Sequence, residues 1–323
     1  MPRPPTGFHV ISDRCMSEQV KTVVVICGAT ATGKTGSAIR LALRYDTAII
    51  SADSRQCFRE LDIGVARPSP EQLAAVPHYF IADRPVTESV TAADFESFAL
   101  ETVQRLFETR DVVIVAGGTG LYIQAFVSGL DAIPAIPAAT RAQVMSRYES
   151  EGMSWLQSAV REKDPGFFAH GEIQNPQRLM RALEVIESTG RSILSFRKGQ
   201  TQQRPFRIIK LGLDVPRPEL NARIDRRVDE MMSRGLLEEA KRLLPFRTLN
   251  ALQTVGYAEL FDYFDGKTGL DTAVDLIRQH TRQYAKRQVT WFKKDKDLHW
   301  IRAGDLASID EWVDGLLQLG LRS

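Results

Sequence analysis

Apolar and polar residues along this chain fall into blocks that predict strands and helices in turn. Three continuous apolar runs are typical of buried parallel strands: KTVVVIC at 21–27, TAIISADS at 47–54 and DVVIVAGGTG at 111–120. Helical spacing follows the first run at Thr35–Arg44 and precedes the third at Ala93–Thr109. This alternation predicts an α/β fold built on a right-handed, doubly wound parallel sheet.

The pattern changes after Pro134 and Pro137, where a stretch begins that is almost wholly helical. One helix within it has clear end signals. Asn175 can cap its first turn, Pro176 suits that turn, and Gly190 can end it. These signals predict a segment made of helices rather than strands.

Strand character returns at Arg207–Asp214, with the sequence RIIKLGLD, and the last third of the chain is again helical. We therefore interpret the helical segment as an insertion in an α/β core. The predicted domains are an N-terminal tail over 1–20, an α/β core over 21–133 and 207–323, and a helical insertion domain over 134–206.

The composition is that of an ordinary globular protein, since 43% of the 323 residues are hydrophobic and 25% are charged. The net charge of +2 is small, but its distribution along the chain is uneven. Segment 141–210 has 12 Lys and Arg against 7 Asp and Glu, and segment 271–296 has 7 against 3. Positive charge is thus concentrated in two segments, as in many proteins that bind nucleic acid.

Cysteine and histidine usage argues against a disulfide framework, a cysteine zinc site and a histidine metal cluster. Cys15, Cys27 and Cys57 lack the spacing of a disulfide framework or a zinc site, and the five histidines are scattered. No apolar run approaches the ~20 residues of a membrane span, and the first 15 residues lack the apolar region of a signal peptide. We expect a cytoplasmic protein that does not bind a membrane.

The sequence GATATGKT fits the P-loop pattern and lies between a predicted strand and a predicted helix. Its backbone amides and the helix N-terminus favour phosphate, Lys34 adds a charge, and the Thr35 hydroxyl is a candidate Mg²⁺ ligand. The predicted phosphate-binding residues are Gly28, Ala29, Thr30, Ala31, Thr32, Gly33, Lys34 and Thr35. The pattern predicts polyphosphate binding and leaves the reaction open.

Asp53 follows the second predicted strand, at the edge where open α/β sheets bind their ligands. Its carboxylate suits a general base, a magnesium ligand or a turn residue, and the residues alone leave these roles open. The third strand ends in glycines and Thr119, where hydrolytic ATPases often carry an acid for magnesium. Asp53 is therefore the only acid that the sequence places clearly near the phosphate loop, and one acid suits a proton acceptor.

Cationic residues recur downstream of the phosphate loop. Arg223 could hold a leaving group, but a solvated helix face is the simpler interpretation of Arg223, Arg226 and Arg227. Arg178 and Arg181 share a face of the insertion helix. Four further cations align on one side of a C-terminal helix: Arg278, Arg282, Lys286 and Lys293. These two basic segments favour nucleic-acid binding and simple solvation about equally.

Seven blocks, in order from Val23 to Lys294, resemble the tRNA dimethylallyltransferase family, also called tRNA isopentenyltransferases. The blocks are GATATGKT, SADSRQ followed by LDIGVARP, VAGGTGLY, NPQRLMRALEV, Arg223-Ile224, VGY at 255–257, and RQYAKRQVTWFKK. The resemblance is to the bacterial form of the family, and it implies a P-loop NTPase-like fold. It also implies transfer of a dimethylallyl group from dimethylallyl diphosphate to the exocyclic amine of the adenine 3′ of the tRNA anticodon, with diphosphate as the leaving group.

Residue by residue, the resemblance implies that Asp53 is the base that takes the amine proton. Thr30 and Arg223 would contact the diphosphate, and Lys34 and Thr35 would act beside a Mg²⁺ cofactor. The positions that resemble tRNA-contacting residues are Asp53, Ser54, Arg55, Gln56, Thr119, Arg141, Gln177, Arg178, Leu179, Met180, Arg181, Gln253, Gly256, Tyr257, Arg282, Lys286, Arg287, Gln288, Trp291 and Lys293. The insertion would hold the anticodon stem, and we expect a monomer.

Several positions depart from the usual family pattern, namely Tyr79 and Ala82, the CFREL stretch after Gln56, and Gln253-Thr254 before VGY. They lie outside the proposed catalytic set.

Two other functions fit part of the sequence. A small-molecule kinase would use the P-loop and Asp53 but give the basic segments no task. A nucleotide-switched RNA-binding module would carry an N/T-K-x-D motif, which the sequence lacks.

Overall fold

A six-stranded parallel sheet forms the centre of the larger of two compact units. The computed structural model describes residues 20–319 other than 198 and 200, so the predicted tail, except Val20, and Cys15 lie outside the described residues. The strands are β1 (Thr22–Gly28), β2 (Ile49–Ser51), β3 (His78–Tyr79), β4 (Val112–Gly117), β5 (Arg207–Asp214) and β6 (His299–Arg302). Their spatial order is β3-β2-β4-β1-β5-β6 with every pair parallel, which confirms the predicted α/β sheet.

Strand β1 lies between β4 and β5 and is buried over its whole length. This burial on both faces explains why its sequence is continuously apolar rather than alternating. In the register of the sheet, Cys27 lies beside Gly117 of β4 and Gly212 of β5. Because the strands are parallel, the loops that follow β1, β2 and β4 meet at one edge of the sheet, where ligands of such folds bind.

Helices surround the sheet and form the second unit. They are α1 (Lys34–Arg44), α2 (Pro70–Ala75), α3 (Ala92–Leu106), α4 (Gly120–Ser128), α5 (Ala138–Lys163), α6 (Pro165–His170), α7 (Pro176–Thr189), α8 (Arg217–Ser233), α9 (Leu236–Leu243), α10 (Tyr257–Phe264), α11 (Leu270–Phe292) and α12 (Leu306–Leu319). Short 3₁₀ helices lie at Ile193–Phe196, Leu244–Phe246 and Asn250–Leu252. No helix in the described part of the chain is long and apolar enough to cross a bilayer.

One face of the sheet carries a core that joins both ends of the described chain. Val24 and Ile26 of β1 pack there with Leu41 of α1 and with Ile309 and Val313 of α12, all of them buried. The C-terminal helix, which the sequence did not delimit, thus completes this layer of the α/β core.

The chain divides into one unit of Met1–Val127 with Arg204–Ser323 and a second unit of Ser128–Gln203. The second unit begins at Ser128 rather than at the predicted Pro134 and ends at Gln203 rather than Phe206. A backbone hydrogen bond explains the earlier start, because the N–H of Gln202 donates to the carbonyl of Ser128 at 2.8 Å. This bond brings the two ends of the insertion together.

The insertion unit is helical and has its own core. Leu156 and Val160 of α5 pack with Leu179 and Leu183 of α7. Gly152, with φ 74°, kinks α5.

Helix α7 has the ends that its sequence predicts. The Asn175 side chain accepts a hydrogen bond from the N–H of Arg178, Pro176 opens the helix, and Gly190 ends it with φ 67°.

Candidate active site

The phosphate loop joins β1 to α1 and has the backbone that its glycines predict. Gly28 adopts φ 151°, and a Cβ there would come within 3.0 Å of the Leu213 carbonyl oxygen. Gly33 has φ 88° and precedes α1 without a side-chain cap. The first turn of α1 also has no acidic residue. Its N–H groups and positive dipole end are therefore available to an anion.

Lys34 is held inside the loop. Its Nζ donates to the carbonyl of Ala29 at 2.6 Å, while the Thr32 hydroxyl donates to the same carbonyl at 2.9 Å. The pKa of Lys34 is lowered to about 8, mainly by burial and in part by the charge of Arg227, while the charge of Asp53 opposes both effects. An incoming anion would favour the charged form of this lysine, so the loop is prepared for negative charge.

Gln288 of α11 joins the phosphate loop to the loop after β4. Its Oε1 accepts a hydrogen bond from the N–H of Thr30 at 2.8 Å, and its Nε2 donates to the carbonyl of Gly118 at 2.8 Å. The side chain is only 7% exposed. The family resemblance implies an RNA contact for Gln288, and in this structure its amide holds the two loops together.

Arg227 of α8 lies at the phosphate loop, whereas the family resemblance implies a diphosphate contact for Arg223. Its Nη1 donates to the Thr30 hydroxyl at 3.1 Å, and its burial lowers its pKa. Arg223 instead pairs with Glu219 at 2.6 Å and does not line the cavity described below. Arg223 and Arg227 each follow a buried residue of α8 by three positions, Leu220 and Ile224 respectively, so helical spacing alone does not distinguish the two arginines.

Asp53 has one of the roles that the sequence left open, that of a turn residue. Its Oδ1 accepts hydrogen bonds from the N–H groups of Arg55 at 2.9 Å and Gln56 at 3.2 Å, so it stabilises a turn. Its Oδ2 has no hydrogen-bond partner among the described residues and remains available. The neighbouring turn is held by Thr119, whose hydroxyl oxygen accepts from the N–H of Ser54 at 3.0 Å.

These residues surround a cavity of about 460 Å³ at the carboxyl edge of the sheet. One part of its wall is polar and is formed by Thr30, Lys34, Thr35, Asp53 and Arg227. The apolar side chains of the lining, which we call the apolar wall, are Ile63, Val65, Pro68, Val228, Met231 and Ile277, and Arg67, Glu230 and Arg234 also line the cavity. The cavity therefore suits a molecule with an anionic end and a small hydrocarbon end.

A second, basic groove of about 380 Å³ lies along α11, formed by Gln283, Lys286, Arg287, Thr290, Trp291 and Lys294. Among the described residues, Lys286, Arg287 and Lys294 have no carboxylate within ion-pair distance. At the N-terminal end of the predicted basic stripe of α11, the cations are already in ion pairs. Arg282 pairs with Asp225 at 2.7 Å, and Arg278 pairs with both Asp229 and Asp275. Only the C-terminal half of α11 thus offers free cations.

Several side chains at predicted RNA-contacting positions lie inside the protein. Leu179 and Met180 are 0% and 3% exposed because they belong to the insertion core. Tyr257 is fully buried, and its hydroxyl donates to Glu239 at 2.6 Å. These side chains are therefore unavailable to RNA. The motifs in which they lie do not indicate that they are buried.

Other predicted RNA contacts lie at the surface with partners of their own. In the insertion unit, Arg178 pairs with Glu172 at 2.7 Å, and Arg141 and Arg181 both face Glu184. The exposed Gln253 donates to the carbonyl of Arg247 at 2.7 Å. The partly buried Ser54, Arg55, Gln56 and Thr119 surround Asp53, while Gln177, Arg287 and Lys293 are exposed.

Comparison with known proteins identifies the family to which this sequence is similar. A family model described as IPP transferase matches residues 56–295. The tRNA dimethylallyltransferase of Cytophaga hutchinsonii is 43% identical over 298 residues, which cover 92% of this chain and 98% of that protein. The tRNA dimethylallyltransferase 1 of Phocaeicola vulgatus is 44% identical over 292 residues, covering 90% and 97%.

Solved structures are also similar. The full-length tRNA isopentenylpyrophosphate transferase of Bacillus halodurans is 33% identical, with a TM-score of 0.69 over 94% of this chain and 98% of that one. A eukaryotic dimethylallyltransferase acting on tRNA has a TM-score of 0.73 over 90% of this chain and 76% of that one. At 24% identity, this second likeness concerns the fold alone.

Proposed function

The chain belongs to the IPP transferase family, and from this premise we propose that it is a tRNA dimethylallyltransferase. It transfers the dimethylallyl group of dimethylallyl diphosphate to the exocyclic amine of the adenine 3′ of the anticodon and releases diphosphate. One observation carries the proposal beyond family membership. A single cavity brings together a phosphate loop, an aspartate with a free oxygen and an apolar wall.

The polar wall would hold the diphosphate. Loop amides, Lys34 and the Thr30 hydroxyl would donate to its oxygens as the C–O bond breaks and negative charge develops on it. We assign the guanidinium of this site to Arg227 rather than Arg223, because Arg227 lies within hydrogen-bond distance of Thr30 and lines the cavity.

Asp53 would accept the proton that the adenine amine loses on forming its bond to the allylic carbon. The turn bonds to Oδ1 fix the carboxylate and leave Oδ2 for this task. The adenine must leave its stack to reach a cavity beside the sheet, as in other enzymes that modify bases. The apolar wall would exclude water, which would otherwise compete with the amine for the allylic carbon.

Magnesium is the cofactor that we propose, with Thr35 as its protein ligand. In the described part of the chain, no three His, Cys, Asp or Glu side chains are grouped to hold a metal ion by themselves. Mg²⁺ commonly keeps several waters and binds through few protein groups and substrate phosphates, so one hydroxyl with a carboxylate lining the same cavity fits it. Bound Mg²⁺ would neutralise charge on the diphosphate.

The basic groove would hold tRNA. Lys286, Arg287 and Lys294 present unpaired cations for phosphates, and Trp291 adds an aromatic surface in the same groove. Exposed Arg141 and Arg178 are the corresponding candidates in the insertion unit. Action as a monomer and a cytoplasmic location belong to the same proposal.

The direct test is transfer of radiolabelled dimethylallyl diphosphate to unmodified tRNA with Mg²⁺ and without ATP. Nuclease digestion should place the label on the adenine beside the anticodon. A tRNA with guanine at that position is the matched control and should stay unlabelled. If neither tRNA is labelled and ATP is consumed in the presence of a small acceptor, the result would support the kinase alternative instead.

A further inference from the structure

A buried carboxylate outside the reacting groups holds one wall of the cavity. Glu239 of α9 is 2% exposed and accepts three hydrogen bonds. Two come from the backbone N–H groups of Ile63 and Gly64, each at 2.9 Å, and the third comes from the Tyr257 hydroxyl at 2.6 Å. Burying a carboxylate is unfavourable unless its oxygens are satisfied, and here both oxygens are.

The loop that Glu239 holds is a tight turn, which the N–H of Arg67 also supports by donating to the carbonyl of Asp62 at 3.1 Å. The N–H of Ala66 donates to the carbonyl of Ile63 at 3.0 Å, and Ala66 adopts φ 48°, an unfavourable value for a residue with a Cβ. On the other side, the Gln56 amide donates to the carbonyls of Val65 and Ala66, each at 3.1 Å. The turn is thus fixed through its backbone from two directions.

This backbone support leaves the side chains of the turn free to form the apolar wall. Ile63 and Val65 both line the cavity. Gly64 lies against the ring of Tyr257, where a Cβ would come within 2.5 Å of that ring. The position of the apolar wall therefore depends on Glu239, which does not itself line the cavity.

We propose that Glu239 is a positioning residue that keeps the Ile63–Val65 wall closed around the prenyl group. The inference rests on the proposed function because it names the prenyl group as the occupant. The hydrogen bonds by which Glu239 supports the turn are independent of that function. Glutamine cannot replace the carboxylate, because three donors point at the two oxygens. Its amide nitrogen would face at least one of these donors and leave it without an acceptor.

Amide hydrogen exchange of the ligand-free full chain tests the support itself. In Glu239→Gln, exchange at Ile63 and Gly64 should become roughly tenfold faster, since a buried donor loses its acceptor. The matched control is Glu238→Gln, an exposed position on the same helix, where exchange should match the wild type. Unchanged exchange in Glu239→Gln would overturn the proposal.

Steady-state kinetics test the link to the substrate. In Glu239→Gln, the KM for dimethylallyl diphosphate should rise about tenfold while kcat changes less than about threefold, as expected when binding is lost equally from ground and transition states. Tyr257→Phe, which removes one of the three donors, should give smaller changes of the same sign and serves if the glutamine variant does not fold.

The two proposals fail in different ways. If exchange quickens but the KM stays at the wild-type value, Glu239 supports the turn without serving the cavity, and the inference is overturned. If the wild-type protein transfers no prenyl group, the proposed function fails, whatever the exchange experiment gives.

Discussion

Gln288 accepts a hydrogen bond from the backbone N–H of Thr30, and this bond attaches α11 to the phosphate loop. The same side chain donates to the carbonyl of Gly118, so one amide fixes the loops after β1 and β4 relative to each other. The helix that carries the basic groove is therefore coupled to the phosphate-loop end of the cavity, through Gln288 and through the packing of Ala285 with Ala29 and Ala31.

Replacing Gln288 with Ala should lower the free energy of unfolding by about 1–3 kcal/mol, because buried polar groups of both loops lose their partner. Diphosphate affinity should fall as well, since the loop amides are no longer held in place. Urea denaturation and calorimetric titration with Mg²⁺-diphosphate measure the two effects. Gln279→Ala, at an exposed position of the same helix, is the control. Wild-type values in Q288A would show that the bridge is dispensable.

Asp53→Asn should abolish transfer while leaving binding intact. Asparagine retains an oxygen for the N–H groups of Arg55 and Gln56, so the turn survives, but it cannot accept the amine proton. We expect kcat to fall by about 10²–10⁴ with the Kd for tRNA little changed. Asp46→Asn, at an exposed position, is the control. Turnover near the wild-type rate in D53N would assign the base to another group.

The two arginines of α8 make opposite predictions. Arg227→Ala should weaken diphosphate binding by about tenfold or more, because a charged hydrogen-bond donor leaves the cavity. Arg223→Ala should change binding by less than about threefold, since its partner in the ligand-free chain is Glu219 on the same helix. Titration of both variants with diphosphate compares them. The reverse order would restore the sequence-based assignment to Arg223.

Diphosphate binding should weaken as the pH rises above about 8. Burial lowers the pKa of Lys34 to about 8 in the free protein, and the bound anion raises it. Below pH 8 the lysine is already charged. Above pH 8 binding must take up a proton, so affinity falls by up to roughly tenfold per pH unit until the pKa of the complex is reached. In Lys34→Arg the side chain stays charged, so the fall of affinity above pH 8 should disappear. The titration of the diphosphate itself affects both proteins equally. Identical pH profiles would exclude Lys34 as its source.

Removing free cations from the groove should flatten the salt dependence of tRNA binding. Lys286→Ala with Arg287→Ala should reduce the slope of log K against log salt by about 1–2, because fewer counterions are released. Arg278→Ala is the matched control on α11, since its guanidinium is already paired with two aspartates. An equal change in both proteins would mean that the groove has no special role.

The fold was largely predictable because its signals are local. Continuous apolar runs located β1 and β4 within two or three residues, and Asn175 with Gly190 located the ends of α7. Strand β3, with two residues, and strand β6, with four, are too short for periodicity to reveal. Their place in the sheet depends on tertiary pairing.

The site was predictable only in part, because long-range contacts decide side-chain roles. The phosphate loop and Asp53 follow from local sequence, and they line the same cavity. Nothing in the sequence indicates that Gln288 meets Thr30, 258 positions away, or that Glu239 meets Ile63. For the same reason, Leu179 and Tyr257 matched RNA-contacting motifs while their side chains are committed to cores.

The hydrogen bond between Gln202 and Ser128 means that the insertion leaves and re-enters the core at one point. Nearby, Arg204 donates to the carbonyls of Ala125 and Phe126, which fixes the returning chain to the end of α4. The distance that the chain must bridge between α4 and β5 is therefore independent of how many residues lie between Ser128 and Gln202. A change of length within that interval would therefore leave the register of the sheet unaltered.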